Sequence, residues 1–112
     1  MAVDFKVSIP PHMALSELKD TVQHGSFTGE MIDQYTVLGP EGVQVIVAVF
    51  EKHFFRAGNR VTLTVTLHNA GGVTHVHSVG GGGGEGLFRF DWGAADSFAE
   101  MPREVLSRYI IE

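Results

Sequence analysis

The 112-residue chain contains no cysteine, which excludes disulfide bridges, a thiolate zinc site and a cysteine nucleophile. Basic residues are scarce as well: eight Lys and Arg stand against thirteen Asp and Glu, giving a net charge of -5. Phosphate backbones are held by clustered Lys and Arg, and here those residues are scattered, so no nucleic-acid partner is expected. No apolar run approaches the roughly 20 residues that span a bilayer, and no basic stretch followed by an apolar one opens the chain. The expectation is a soluble cytoplasmic protein without a membrane partner. What is present suffices for a core, since 44% of the residues are hydrophobic, and residues 1–112 are read as a single domain.

The local patterns are those of strands and helices in a definite order. Val3, Phe5, Val7 and Ile9 alternate with Asp4, Lys6 and Ser8, which predicts a half-buried strand. Pro10 and Pro11 suit the first turn of a helix, Leu15, Leu18 and Val22 continue it, and Gly25 is placed to end it. Residues 26–38 read as a second strand through Phe27, Met31 and Tyr35, closed by the turn at 39–42. Residues 43–55, 60–68 and 72–78 then write a three-strand meander. Its first strand is apolar on both sides up to Phe50, as in a central strand. Its second is strictly alternating, with Val61, Leu63, Val65 and Leu67 opposed to Thr62, Thr64, Thr66 and His68. Leu87 to Phe90 reads as a sixth strand, and Phe98, Val105, Leu106, Tyr109 and Ile110 follow a helical period that Pro102 is expected to kink or restart. The order β-α-β-β-β-β-α, with one extra strand left open, predicts an α+β fold: an antiparallel sheet with two helices packed on one face.

That order resembles the TBP-like and helix-grip group, in which a long C-terminal helix lies across a curved antiparallel sheet. At sequence level Phe50-Glu51-Lys52, then the run from Gly58 to Leu67, a glycine-rich loop and a C-terminal helix resemble a family of small bacterial cytoplasmic proteins known as a domain of unknown function. The resemblance implies the fold and supplies no catalytic residues.

Centring the two hairpin turns on 58–59 and 70–71 predicts one cross-strand row of His53, Thr64 and His77 and a second of Glu51, Thr66 and His75. Imidazole and carboxylate are ordinary ligands for zinc, nickel or copper. His53 and His77 would nonetheless stand about 9 to 10 Å apart across two strand spacings, which strains a shared ion. A polar interaction face is the simpler reading, and no metal or other cofactor is expected. Gly81, Gly83 and Gly86 match a G-x-G-x-x-G pattern. A strand-like segment follows rather than a helix, so the dipole that holds pyrophosphate is missing. Serines occur without a G-x-S-x-G elbow, and Asp91 and Asp96 are explained as acidic residues at a helix start.

These readings converge on a non-enzymatic binding module, with two occupants left open. One is a small apolar ligand between the sheet and the C-terminal helix, lined by Phe50, Phe54, Leu63, Phe98 and Tyr109. The other is a second copy, a homodimer formed through Glu51, His53, Thr64, Thr66, His75 and His77. The alternative is a metal-dependent enzyme that uses the histidine face of the sheet.

Overall fold

The computed structural model describes residues 2–24, 29–54, 59–82 and 92–111, with the backbone alone at 53, 54, 59 and 92–94. The glycine run beyond Gly82, the sixth strand at 87–90, Phe27, Gly25 and Asp91 lie outside the described residues.

Strands β1 (Ala2–Val7), β2 (Glu30–Leu38), β3 (Gln44–Phe54), β4 (Asn59–His68) and β5 (Thr74–Gly82) form one sheet in the order β1-β5-β4-β3-β2. Every neighbouring pair is antiparallel. β2 to β5 are joined as successive hairpins, whereas β1 pairs with β5 from the far end of the chain. Helix α1 (Pro11–Gln23) therefore carries the chain from one edge of the sheet to the other. It starts where the prolines predict: Pro10 is extended at φ -63° and ψ 158°, and its carbonyl accepts the amides of Met13 and Ala14. Its last turn is closed by His24, whose amide and Nδ1 both reach the Asp20 carbonyl.

Helix α2 (Trp92–Val105) holds Pro102 in its last turn. Proline has no amide hydrogen to donate four residues back, and the helix ends at Val105, followed by a 3-10 turn at Ser107–Tyr109. The helical period read through Ile110 thus stops early. The chain then bridges back to β1: Ser8 donates to the Tyr109 carbonyl at 2.9 Å, Ile111 donates to that of Lys6 at 2.9 Å, and Ile110 pairs with Val7.

Both helices lie on one side of the sheet, against the apolar halves of the alternating strands. Val3, Phe5 and Val7, then Val76, then Val61, Leu63, Val65 and Leu67, then Ile46, Ala48 and Phe50 face Leu15 and Leu18 of α1 and Phe98, Ala99 and Met101 of α2. Full burial of a Phe or Leu side chain contributes about 1.5 to 3 kcal/mol, so this single layer of contacts is the main source of stability. One polar group enters it without loss, because Ser78 is fully buried and its hydroxyl donates to the Ala99 carbonyl at 2.8 Å.

Candidate functional site

Among the described residues the other side of the sheet carries no helix. Its residues follow from the register. One row across all five strands is Asp4, His77, Thr66, Val47 and Tyr35, and the next is Lys6, His75, His68, Val45 and Val37.

These rows correct the ones expected from the turns. Thr66 faces His77 rather than His75, and Thr64 faces Val79 rather than His77. The second turn is longer than a hairpin centred on 70–71 requires. His68 still pairs with His75, and the turn between them bonds the Gly72 amide to the Asn69 carbonyl with Gly72 at φ 98°. In the first hairpin Glu51 faces Thr62 and His53 faces Arg60, because Phe54 and Asn59 are the last pair before the loop. Both errors are an even number of residues. A shift of one residue exchanges the faces of a strand, while an even shift keeps them, so Glu51, Thr64, Thr66, His75 and His77 stay on the helix-free face. The rows dissolve all the same: His53 stands six pairs along β4 from Thr66, the partner of His77, roughly 20 Å away at the usual strand rise.

In place of His53, the histidines of β5 meet Asp4. The Asp4 Oδ1 accepts from His77 Nδ1 at 2.7 Å and from His75 Nε2 at 3.3 Å. The hydrogen bond from His77, supported by that from His75 and opposed by partial burial, holds the Asp4 carboxyl below its ordinary range. The His75 ring stacks on His68 with centroids 5.4 Å apart and planes 7° from parallel. His68 Nδ1 in turn accepts the Ala70 amide at 3.3 Å, which leaves its Nε2 as the protonated nitrogen of the neutral ring. The cluster is a string of polar groups along one end of the face, with side chains 35% exposed at His75, 44% at His77 and 53% at Asp4. Among the described residues no three His, Asp or Glu side chains are arranged to hold a metal ion.

Beside the cluster runs a Thr ridge on β4 and then a Val stripe on β3, both half-buried. At the outer strand, Tyr35 and Val37 are 63% and 44% exposed. Arg60 closes the far corner, donating to Glu51 Oε2 at 3.3 Å.

The residues read as a ligand pocket are elsewhere. Phe50, Leu63 and Phe98 are core side chains on the helix side, exposed by 2% or less, and Tyr109 is half-buried against that core with the Arg108 guanidinium over its ring. Phe54 is described by its backbone, paired with Asn59. Of these, Phe50 reaches a cavity wall: a cleft of 370 Å³ between the end of α1 and the start of β2, lined also by Lys19, Val22, Gln23, Glu30 and Met31. A second cleft of 440 Å³ continues along α1 past Gln34, Thr36 and Gln44. Gln44 Oε1 is buried there without a hydrogen-bond partner.

Sequence reasoning missed Asp4 as a partner of the histidines. Alternation placed it on the polar side of β1, but nothing local says that β1 lies beside β5. Nothing local marks a role for Asn69 beyond its turn. In the structure its side chain accepts the Gln44 amide at 2.7 Å and donates to the Gly42 carbonyl at 3.1 Å, tying two turns together.

Among the described residues no helix is long and apolar enough to cross a membrane. Comparison with curated proteins and with solved structures gives no match. A family model does match residues 1–110, and the chain belongs to that family, DUF6054, a family of unknown function.

Proposed function

We propose that the chain is a non-enzymatic binding module that self-associates, with a second copy seated on the helix-free face of the sheet. One observation carries this reading. β3 has the composition of a strand covered on both sides, yet only its even-numbered residues meet a layer of helices, and Val45, Val47 and Val49 are left on the open side. A face polar throughout would need no cover; an apolar stripe continued by Tyr35 and Val37 and bordered by charge has the anatomy of a contact surface. A second copy offers the same stripe with the same polar border, which is the self-complementarity that a two-fold contact requires. Thr64 and Thr66 lie at the centre of the contact, with Glu51 and His53 towards one end and His75 and His77 towards the other. The setting we propose is the bacterial cytoplasm, on a sheet-and-helix scaffold of the TBP-like or helix-grip kind.

The test is sedimentation equilibrium on wild type and Thr66→Lys. Wild type is expected to be associated, as a dimer or a larger assembly, at about 100 µM, a concentration that saturates a standard-sized interface. Thr66→Lys, which buries a charge at the centre of the contact, should weaken the dimer at least about tenfold with an unchanged circular dichroism spectrum. A wild-type protein that stays monomeric at that concentration overturns the reading.

A second reading is favoured by the cleft between the end of α1 and the start of β2, whose wall includes Val22, Met31 and Phe50. A ligand there would be small and would rest its apolar part towards Phe50 and Val22. Native mass spectrometry with a denatured control distinguishes the two readings: added mass lost on denaturation supports the ligand, and doubled subunit mass supports the dimer. The metal-dependent alternative is disfavoured by the separation of His53 from His77 along the sheet.

A further inference from the structure

The two edges of the sheet are treated differently. One end of the β1 edge is closed by the C-terminal segment, through the bonds from Ser8 to Tyr109 and from Ile111 to Lys6 and the bridge of Val7 to Ile110. Among the described residues the β2 edge has no such cover, and eight of its nine residues are exposed. Natural sheets blunt an open edge with lysine, proline, shortness or a bulge. β2 has no Lys and no Pro, and its one irregularity, between Met31 and Asp33, sits near one end. From Gln34 to Leu38 the edge is regular and without charge.

The ladder shows which backbone groups of β2 point away from β3. Gly39 donates to the Val43 carbonyl, while Gln44 turns its amide to the Asn69 side chain and its carbonyl to the Asn69 amide, on the β4 side. Leu38 and Gln44 are therefore a non-hydrogen-bonded pair. By the alternation of antiparallel ladders, Val37 and Tyr35 bond inward to β3, whereas Gln34, Thr36 and Leu38 point their N-H and C=O groups outward.

We infer that β2 pairs antiparallel with the β2 strand of a second copy, about a two-fold axis that places Thr36 opposite Thr36. In this register Gln34 lies opposite Leu38 of the other copy and Leu38 opposite Gln34, so the outward groups of all three residues meet partners in about six hydrogen bonds. Tyr35 falls opposite Val37, and the aromatic and β-branched side chains meet in the close non-hydrogen-bonded pairs on the open face. Charge fits this register. Two chains of net charge -5 repel, and the pairing joins the neutral stretch while leaving Asp33 opposite Gly39 and Glu30 opposite Gly42. The contact goes beyond the face-to-face reading, since it uses backbone at an edge and leaves the helix-free face available, widened to ten strands.

The absence of cysteine makes the register testable. In the proposed pairing the Cα atoms of the two Thr36 residues are about 5.5 Å apart, within disulfide reach. Thr36→Cys should therefore give a covalent dimer on mild oxidation. Leu38→Cys should not, because the two positions 38 stand about 13 Å apart, and the double variant Gln34→Cys with Leu38→Cys should. Thr36→Pro removes an amide that the β2–β3 ladder does not use and is tolerated at an edge, so it should weaken the dimer at least about tenfold with the circular dichroism spectrum retained. A monomeric wild type, or a dimer in which Thr36→Cys fails to cross-link, overturns the inference. A dimer dissociated by Thr66→Lys and untouched by Thr36→Pro overturns it as well and leaves the face contact standing.

Discussion

Gly80 of β5 and Ala95 of α2 meet backbone to backbone: a Cβ on Gly80 would collide with the Ala95 carbonyl oxygen and carbon. Glycine is required here for close approach, since the position beside it behaves differently. A Cβ on Gly81 would meet Thr62 Oγ1 at an ordinary 3.6 Å. Gly80→Ala must push α2 off the sheet and should destabilise by about 3 kcal/mol, whereas Gly81→Ala should stay within about 0.5 kcal/mol. Urea denaturation of both variants checks the pair, and equal effects would show that α2 is not seated on Gly80.

Asn69 joins the turn after β2 to the turn after β4. Removing its side chain leaves the Gln44 amide without the acceptor it holds at 2.7 Å and the Gly42 carbonyl without its donor. Asn69→Ala is expected to cost about 1 to 3 kcal/mol, the range for an orphaned and partly buried backbone group. Asn69→Asp keeps the acceptor and should cost less. The measurement is the denaturation midpoint, accompanied by amide exchange at Gln44, which should quicken in the alanine variant.

Faces and the order of the meander were legible in the sequence, and registers were not. Strict alternation in β4 assigns Val61, Leu63, Val65 and Leu67 to one side whatever the register, and that assignment survives turns read too short. Placing Thr66 opposite His77 depends on the length and shape of residues 69–73, which composition does not specify. The neighbours Asp4 and His77 are joined by tertiary contact alone. The apolar run of β3 read as that of a central strand, and β3 does lie inside the sheet between β2 and β4; that no described helix lies against Val45, Val47 and Val49 was not legible.

Leu63, at the centre of the central strand and fully buried, should lose about 2 to 5 kcal/mol as Leu63→Ala. Phe98→Ala should lose about 3 to 5 kcal/mol. Thr64→Ala, next to Leu63 on the opposite face, should change stability by less than about 1 kcal/mol in the monomer. Thermal or urea denaturation at low protein concentration reads these values without a contribution from self-association.

Asp4 titrates below its ordinary 3.8 because His77, and after it His75, donates to the carboxylate. A carboxyl whose folded pKa is depressed adds stability above its unfolded value and loses it as the pH falls through the folded one. The cluster is thus intact at neutral pH and is given up below about pH 3.8. The side chains are exposed, so the stability at stake is small, and carboxyl NMR is the suitable measurement. The Asp4 midpoint should rise towards 3.8 in His77→Ala, and by more than in His75→Ala. A midpoint indifferent to His77 would remove the cause assigned here.

The bond between Asp4 and His77 closes 73 residues of chain, while β2 to β5 are linked by short turns. Entropy of loop closure opposes the first kind of contact more than the second, so the hairpins can assemble while β1 is still unplaced. In that interval β5 is itself an edge, and its alternation of Thr74, Val76 and Ser78 with His75 and His77 is offered to any strand that arrives. A chain in which β1 is still unplaced would therefore be open at β5, on the side that the finished sheet protects, and the docking of β1 would end that exposure.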